Sequence, residues 1–309
     1  MKYTLTLAAG ALALGLSAPA QAGGLLKAPV ADWTGGAVTC EIIHQILESE
    51  MGYKVKRITM PSGPGVYEGL RAGDLDFACE GWPSYSPSKD KYIKDYGGDG
   101  TVARFADSGI VGQSGYFVPR YMVEGDGAVA PDLKSYKDLN KHAALFKTLE
   151  TGEKGRLIGC PVAAWLCMDK ERLEGLKVDF KIVELGSETA HWAEIQAAYK
   201  RKEPFIAYAW QPHWIFATMD LVEIELPAHS KDAWPASDWP EDVTYNYGRP
   251  GLADDHPGVV TLIKNFRLSN DEQAPMIKAI DIDGGDIEEV VAQWLKDNEA
   301  KWKAWLPES

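Results

Sequence analysis

The sequence predicts an α/β protein of two lobes, each a mainly parallel sheet flanked by helices. Strand-like and helix-like stretches alternate from Pro29 to Trp82, and the same alternation returns between Phe180 and Trp214. The chain, at 309 residues, is long enough for two lobes of about 100–150 residues each. Gly115-Tyr-Phe-Val-Pro119 reads as a strand with a proline exit, where the chain crosses over. The first lobe is therefore expected to comprise 23–115 with 227–309, and the second 116–226.

Taken in order, Pro29–Trp33 reads as a strand that stops, and Thr34-Gly35-Gly36 as a tight turn. Val38, Ile42, Ile43, Ile46 and Leu47 recur at helical spacing, predicting a helix from Ala37 to Met51 that Gly52 ends. Tyr53–Ile58 alternates like a strand. After the loop Pro61–Gly65, a helix covers Val66–Ala72 and stops at Gly73. The strand Leu75–Cys79 then delivers Glu80-Gly81-Trp82. The segment 87–109 is polar and loop-like, and 133–139 and 142–149 are short helices. Gly159-Cys160-Pro161 opens a helix with proline at its first position and Trp165 about one turn in. A strand at Phe180–Leu185 precedes a helix from Ser187 to Lys202. Phe205–Ala209 is a buried strand that ends on Trp210, because Pro212 cannot continue a central strand. Residues 227–259 read as an irregular excursion, followed by helices at His256–Phe266 and Asp271–Ala279. Asp286-Ile-Glu-Glu289 caps the last helix, in which Trp294, Trp302 and Trp305 are packing residues.

The first 22 residues have the form of an export signal: Lys2, an apolar run Leu5–Leu16, and Ala20-Gln21-Ala22 as the cleavage site. The run is too short to span a bilayer. The mature chain is therefore placed in a Gram-negative periplasm. A formal charge of −13 argues against nucleic acid and anionic membrane, which need a basic face. Four cysteines suit an oxidising compartment. Their three possible connectivities stay open, including whether Cys40 and Cys79 pair.

Enzyme motifs are missing: there is no Gly-x-Ser-x-Gly and no His-Glu-x-x-His. Gly35-Gly36 and Ser62–Gly65 match no phosphate-loop pattern, although Gly35 and Gly36 could offer amides to a small anionic oxygen. Asp281–Asp286 lacks the spacing of a calcium loop. No cofactor and no metal are expected. What stands out is eleven tryptophans against eight phenylalanines, with Trp33, Trp82, Trp165 and Trp210 at the ends of elements. There a ring lines a cleft more readily than a core. A quaternary ammonium donates no hydrogen bond, and its best host is a box of aromatic faces at about 0.5–2 kcal/mol each. Glu80, beside Trp82, is a candidate counter-charge.

Four stretches in this order, Gly73-Asp-Leu-Asp-Phe-Ala-Cys-Glu-Gly-Trp82, Gly115–Tyr121, Cys160-Pro-Val-Ala-Ala-Trp-Leu-Cys167 and Tyr208-Ala-Trp-Gln-Pro-His-Trp214, resemble the substrate-binding proteins of glycine betaine, proline betaine and choline ABC importers. The resemblance covers 28–305. It implies a two-lobed periplasmic flytrap of type II, an ABC permease as partner, a monomer, and a small trimethylammonium ligand, glycine betaine or trimethylamine N-oxide. It also implies a cage of Trp82, Trp165 and Trp210, with Trp33 and Tyr116 as further walls, and a Cys160–Cys167 disulfide around Trp165. The anionic end of the ligand would meet the amides of Leu166 and Cys167, those of Gly35 and Gly36, or the side chain of His213. Glu80 or Glu124 would hold a water or a counter-charge. Choline-binding relatives carry an aspartate two residues after the first cage tryptophan, where this chain has Gly35, which disfavours choline. Choline, carnitine and dimethylsulfoniopropionate are the alternative ligands. A ligand sensor and a secreted enzyme acting on quaternary amines are the alternative roles.

Overall fold

The computed structural model describes residues 23–308, so the export signal expected at 1–22 lies outside the described residues. Among the described residues, nine strands form the frame: β1 (Leu25–Val30), β2 (Lys54–Thr59), β3 (Phe77–Gly81), β4 (Ala103–Pro119), β5 (Gly155–Ile158), β6 (Phe180–Val183), β7 (Ala207–Gln211), β8 (Leu221–Glu223) and β9 (Asp242–Gly248). β1 and β2 pair in parallel. The larger sheet runs β3-β9-β4-β7-β5-β6, with β8 on the end of β4. β1 abuts β3 through Asp76, whose carboxylate accepts from the Lys27 amide at 2.7 Å and from Arg249 at 2.7 Å.

The strand–helix alternation is present, but the sheets are mixed. Parallel pairing is confined to β1–β2, β5–β6 and β5–β7, whereas every neighbour of β4 and β9 is antiparallel. The cause is β4, a strand of 17 residues where a loop and a short strand were expected. Its first part, Ala103–Gly112, pairs with β9, and Gln113–Phe117 pairs with β7. One continuous strand thus passes from lobe to lobe.

Each lobe has its own core. In the first, Ile42, Ile43 and Leu47 of helix Thr34–Ser49 pack with Phe77, Leu262 and Phe266, and the C-terminal Trp302 and Trp305 close it. In the second, Leu157, Trp192, Ile195 and Ile206 lie together. The excursion at 227–259, expected with the first lobe, divides. Its early part lies on the second lobe: Trp239 packs edge-on against Tyr116 at 5.2 Å, and Arg172 lies over the Trp239 ring at 3.3 Å. Its later part is β9, a central strand of the first lobe.

No helix starts at Cys160. Residues 160–167 form a disulfide-closed loop holding one 3-10 turn, Ala163–Trp165, and the helix begins at Asp169. Cys40 and Cys79 also pair, with Cα atoms 5.4 Å apart, tying helix Thr34–Ser49 to β3. That bridge spans 39 residues, so replacing both cysteines with serine is expected to destabilise the protein by about 4 kcal/mol on the chain-entropy model. Denaturant titration of the double variant would measure it, and an unchanged midpoint would show that the bridge is dispensable.

Candidate functional site

A cavity of about 80 Å³ lies between the lobes. The first lobe lines it with Trp33, Glu80, Trp82 and Tyr85, and the second with Trp165, Tyr208 and Trp210. The rings stand at steep angles: Trp33 to Trp165 at 75° with centroids 5.9 Å apart, and Trp165 to Trp210 at 83° and 5.6 Å. Tyr208 lies 5.6 Å from Trp210, and Tyr85 6.1 Å from Trp82. Crossed faces of this kind form the corners of a box.

Local sequence explains how each ring is held. Trp33 follows β1 and precedes helix Thr34–Ser49, and its ring lies on Gly36, where a Cβ would come within 2.4 Å of the indole. Trp82 ends β3 and lies over Gly112, where a Cβ would be 2.1 Å from the ring. Trp165 rides in the disulfide loop, and its indole N–H donates to Asp32 of the opposite lobe at 3.0 Å. The loop is braced from beneath. Asp169 accepts from the Cys160 amide at 2.7 Å and from the Tyr116 hydroxyl at 2.5 Å. Arg172 donates to the Cys167 carbonyl at 3.2 Å.

Glu80 is the acid of the lining. Its backbone is left-handed, φ 54°, at a register irregularity between Ala78 and Gly81. That irregularity re-aims the side chain into the cavity. Oε2 accepts from Thr39 at 2.5 Å and from Gln273 at 2.6 Å, Oε1 accepts a longer 3.2 Å bond from the Trp82 indole, and the Trp33 indole also leans on the carboxyl. Complete burial raises the Glu80 pKa above the ordinary carboxylate value, and the donors, Thr39 first, pull it back only in part. The lining contains no Lys, Arg or His. Of the three phenols in the lining, Tyr208 donates to Tyr85 at 2.9 Å and Tyr85 to Ser114 at 2.5 Å, while Tyr247 stacks on Tyr67 at 4.9 Å.

Of the residues singled out in the sequence, Trp33, Trp82, Trp165, Trp210 and Glu80 line the cavity. The others lie outside its lining. Tyr116 is buried as a brace of the disulfide loop. Leu166 turns the loop at φ 58°, and Cys167 is taken by its disulfide. Gly35 and Gly36 are buried in the first helical turn, the Gly35 carbonyl accepting from Gln273 at 3.0 Å. His213 stacks on Trp192 at 4.2 Å and faces Glu188 and Asp281. Glu124 is exposed and paired with Arg120 at 2.6 Å. Trp214 supports from behind, packed against Trp192 at 6.0 Å. Tyr85, Tyr208 and Gln273 were not anticipated. Tyr208 sits two residues before Trp210 on the same face of β7, and that period-2 relation could have found it.

Two lobes joined through a shared strand, with an aromatic cavity between them, define a solute-binding protein of the flytrap type. The comparisons are specific: residues 26–297 match the family model for the substrate-binding domain of the ABC-type glycine betaine transport system, and the chain belongs to that family. It is 25% identical over 289 residues, 89% of this chain and 88% of the relative, to a trimethylamine N-oxide-binding protein of Pelagibacter ubique. The fold is shared with lactococcal OpuAC closed on glycine betaine, at TM-score 0.73, 19% identity, and coverage of 92% of this chain and 100% of that one. It is also shared with a choline-binding protein in complex with choline, at TM-score 0.73, 21% identity and 91% coverage of each chain. The family consists of transport proteins rather than enzymes, and its members act outside the cytoplasm with ABC permeases.

Because Gly112 leaves the space that the Trp82 ring fills, Gly112→Ala is expected to cost about 1–3 kcal/mol of stability through overpacking and to alter the near-UV circular dichroism of the tryptophans. An unchanged spectrum would mean that the ring is not seated on this strand.

Proposed function

We propose that this protein captures trimethylamine N-oxide in the tryptophan cage, in preference to glycine betaine, and delivers it to an ABC importer from the periplasm. It acts as a monomer, exported by the segment 1–22, and carries out no reaction on its ligand. One observation carries the choice of ligand: the acid of the lining, Glu80, is buried with a raised pKa, in a lining without a cation. A ligand carboxylate would bring a full negative charge beside this acid with no cation in the lining to pair with it. An N-oxide oxygen instead accepts a hydrogen bond from a neutral Glu80. Oε2 is saturated by Thr39 and Gln273, which leaves Oε1 as the oxygen free to carry the donated proton. The trimethylammonium half then meets the faces of Trp33, Trp82, Trp165 and Trp210, where ring quadrupoles replace hydration. Size points the same way, since about 80 Å³ is roughly half the ~150 Å³ cavity that admits benzene. The relative from Pelagibacter ubique, described as a trimethylamine N-oxide-binding protein, supports the reading.

Calorimetric titration with trimethylamine N-oxide, glycine betaine and choline tests it, with the N-oxide expected to bind tightest. Tighter betaine binding would overturn the assignment. Trp82→Ala and Trp210→Ala should each weaken binding by about 2–4 kcal/mol while the ligand-free protein stays folded.

A pH series gives the sign for Glu80. Its raised pKa places the proton on the acid at lower pH, and the donated bond is lost as pH rises through that pKa. N-oxide affinity should therefore fall with rising pH above the ligand's own protonation. Glu80→Gln, which keeps an N–H donor, should flatten the profile. Affinity that rises with pH would mean that Glu80 acts as an ionised counter-charge.

A further inference from the structure

A second set of contacts joins the lobes outside the cavity. Thr34 opens the 16-residue helix of the first lobe, and its backbone N–H donates at 2.8 Å to Glu188 Oε2 of the second lobe. In return, Asp281, the last residue of helix Asn270–Asp281 in the first lobe, accepts at 2.9 Å from the Trp214 indole of the second. The Thr34 hydroxyl sits between the two carboxylates, 2.7 Å from Asp281 and 3.3 Å from Glu188. The anion expected at Gly35-Gly36 is thus supplied one residue earlier by the protein itself, where the positive end of the helix favours it.

We propose that Glu188, Thr34 and Asp281 form a closing latch that holds the lobes together around bound ligand and sets the rate of its release. The depth of the contact supports this. Glu188 is 7% exposed and takes a further bond from Trp192 at 3.2 Å, so its charge is desolvated by closure and compensated from the opposite lobe. On opening, Thr34, Asp281 and Trp214 exchange each other for water. The bonds therefore stabilise the closed form and not the lobes themselves. The latch also reaches the cage: Trp192 lies against both His213 at 4.2 Å and the cage wall Trp210 at 4.9 Å.

Glu188, His213 and Asp281 could by residue type hold a metal ion, but the local geometry favours direct contact. The Ile215 amide donates to His213 Nδ1 at 3.4 Å, which places the ring proton on Nε2, facing Glu188 at 3.3 Å and Asp281 at 3.8 Å without closing a hydrogen bond to either. Each of the four carboxylate oxygens already accepts a bond from Thr34, Trp192 or Trp214.

The latch touches no ligand and so depends on closure alone, whichever compound is bound. Stopped-flow tryptophan fluorescence with trimethylamine N-oxide, glycine betaine and choline, each added separately, reads it. Asp281→Ala should speed release on the order of tenfold, the effect of losing charge-assisted hydrogen bonds. The factor should be equal for every compound that binds, with association within about twofold and the melting temperature of the ligand-free protein unchanged. Asp281→Asn keeps an acceptor for Trp214 and relieves repulsion with Glu188, and should release near the parent rate. Unequal factors would assign Asp281 to the cage, and a lower melting temperature of the ligand-free variant would make its role structural. Faster release from the parent protein on adding EDTA would replace the direct latch with a bridging metal. Failure of the N-oxide alone to bind would overturn the choice of ligand and leave the latch readable with the other two.

Discussion

A buried indole keeps its N–H at little cost where an acceptor lies off to one side of the ring. That constraint organises the cleft. Trp82 donates to Glu80, Trp165 to Asp32, Trp214 to Asp281 and Trp192 to Glu188. In each case the acceptor is a side-chain carboxyl that fixes the ring plane. Two of these bonds, those of Trp165 and Trp214, cross between the lobes. The geometry of the cage and the geometry of closure are therefore set by the same kind of contact. The acidity of the chain has a local meaning here beyond solubility: carboxyls beside Trp82, Trp165, Trp192 and Trp214 pair the N–H groups of these converging rings.

Much of this was legible in the sequence because the four cage tryptophans fall at the ends of elements. Trp82 closes β3 and Trp210 lies one residue from the end of β7, and a strand end next to a proline or glycine cannot hide a large ring in a sheet. The half of the site built by distant contacts was not legible. Gln273 reaches Glu80 from 193 residues away, and Asp32 meets Trp165 across 133. No local pattern carries such pairings. Tyr116, His213 and Glu124 were placed at the ligand by the family resemblance, but Tyr116 bonds Asp169 beneath the disulfide loop, His213 stacks on Trp192, and Glu124 pairs with Arg120 at the surface. The mixed sheet was missed for a related reason. Asp242–Gly248 is rich in β-forming residues, yet it lies in a stretch dominated by proline and aspartate, and only its pairing with β3 and β4 reveals it as central.

The lobes contribute unequally. The first supplies the polar end of the cavity and most of its floor, with Glu80, Trp82, Trp33 and Tyr85 on elements tied together by the Cys40–Cys79 bridge. The second supplies Trp165, Tyr208 and Trp210. A ligand can therefore be oriented by the first lobe alone and enclosed by the second. The disulfide loop carrying Trp165 is well built for the enclosing part. Asp169 and Arg172 pin its two ends from below, and left-handed residues Leu166 and Met168 turn it sharply toward the cleft. A wall that moves with its lobe must arrive already shaped, because ordering it at the moment of closure would cost affinity.

Closure then has two separable contributions. Within the cavity, three or four aromatic faces at about 0.5–2 kcal/mol each reward the presence of a cation, so they act only when ligand is bound. Outside it, Glu188 at the head of helix Thr34–Ser49 and Asp281 against Trp214 act whether or not the cavity is filled. A binding protein needs both and needs them balanced. If the outer contacts were too strong, the empty protein would close and exclude its ligand. If they were too weak, the small area of a small ligand would carry the whole cost of bringing the lobes together. The crowding of Glu188 and Asp281 around one threonine suits that balance. The two carboxylates share donors at some mutual repulsion, with burial and the neighbouring Glu188 charge acting to raise the Asp281 pKa. The latch is thereby weaker than its list of hydrogen bonds implies, which leaves the decision to close with the ligand.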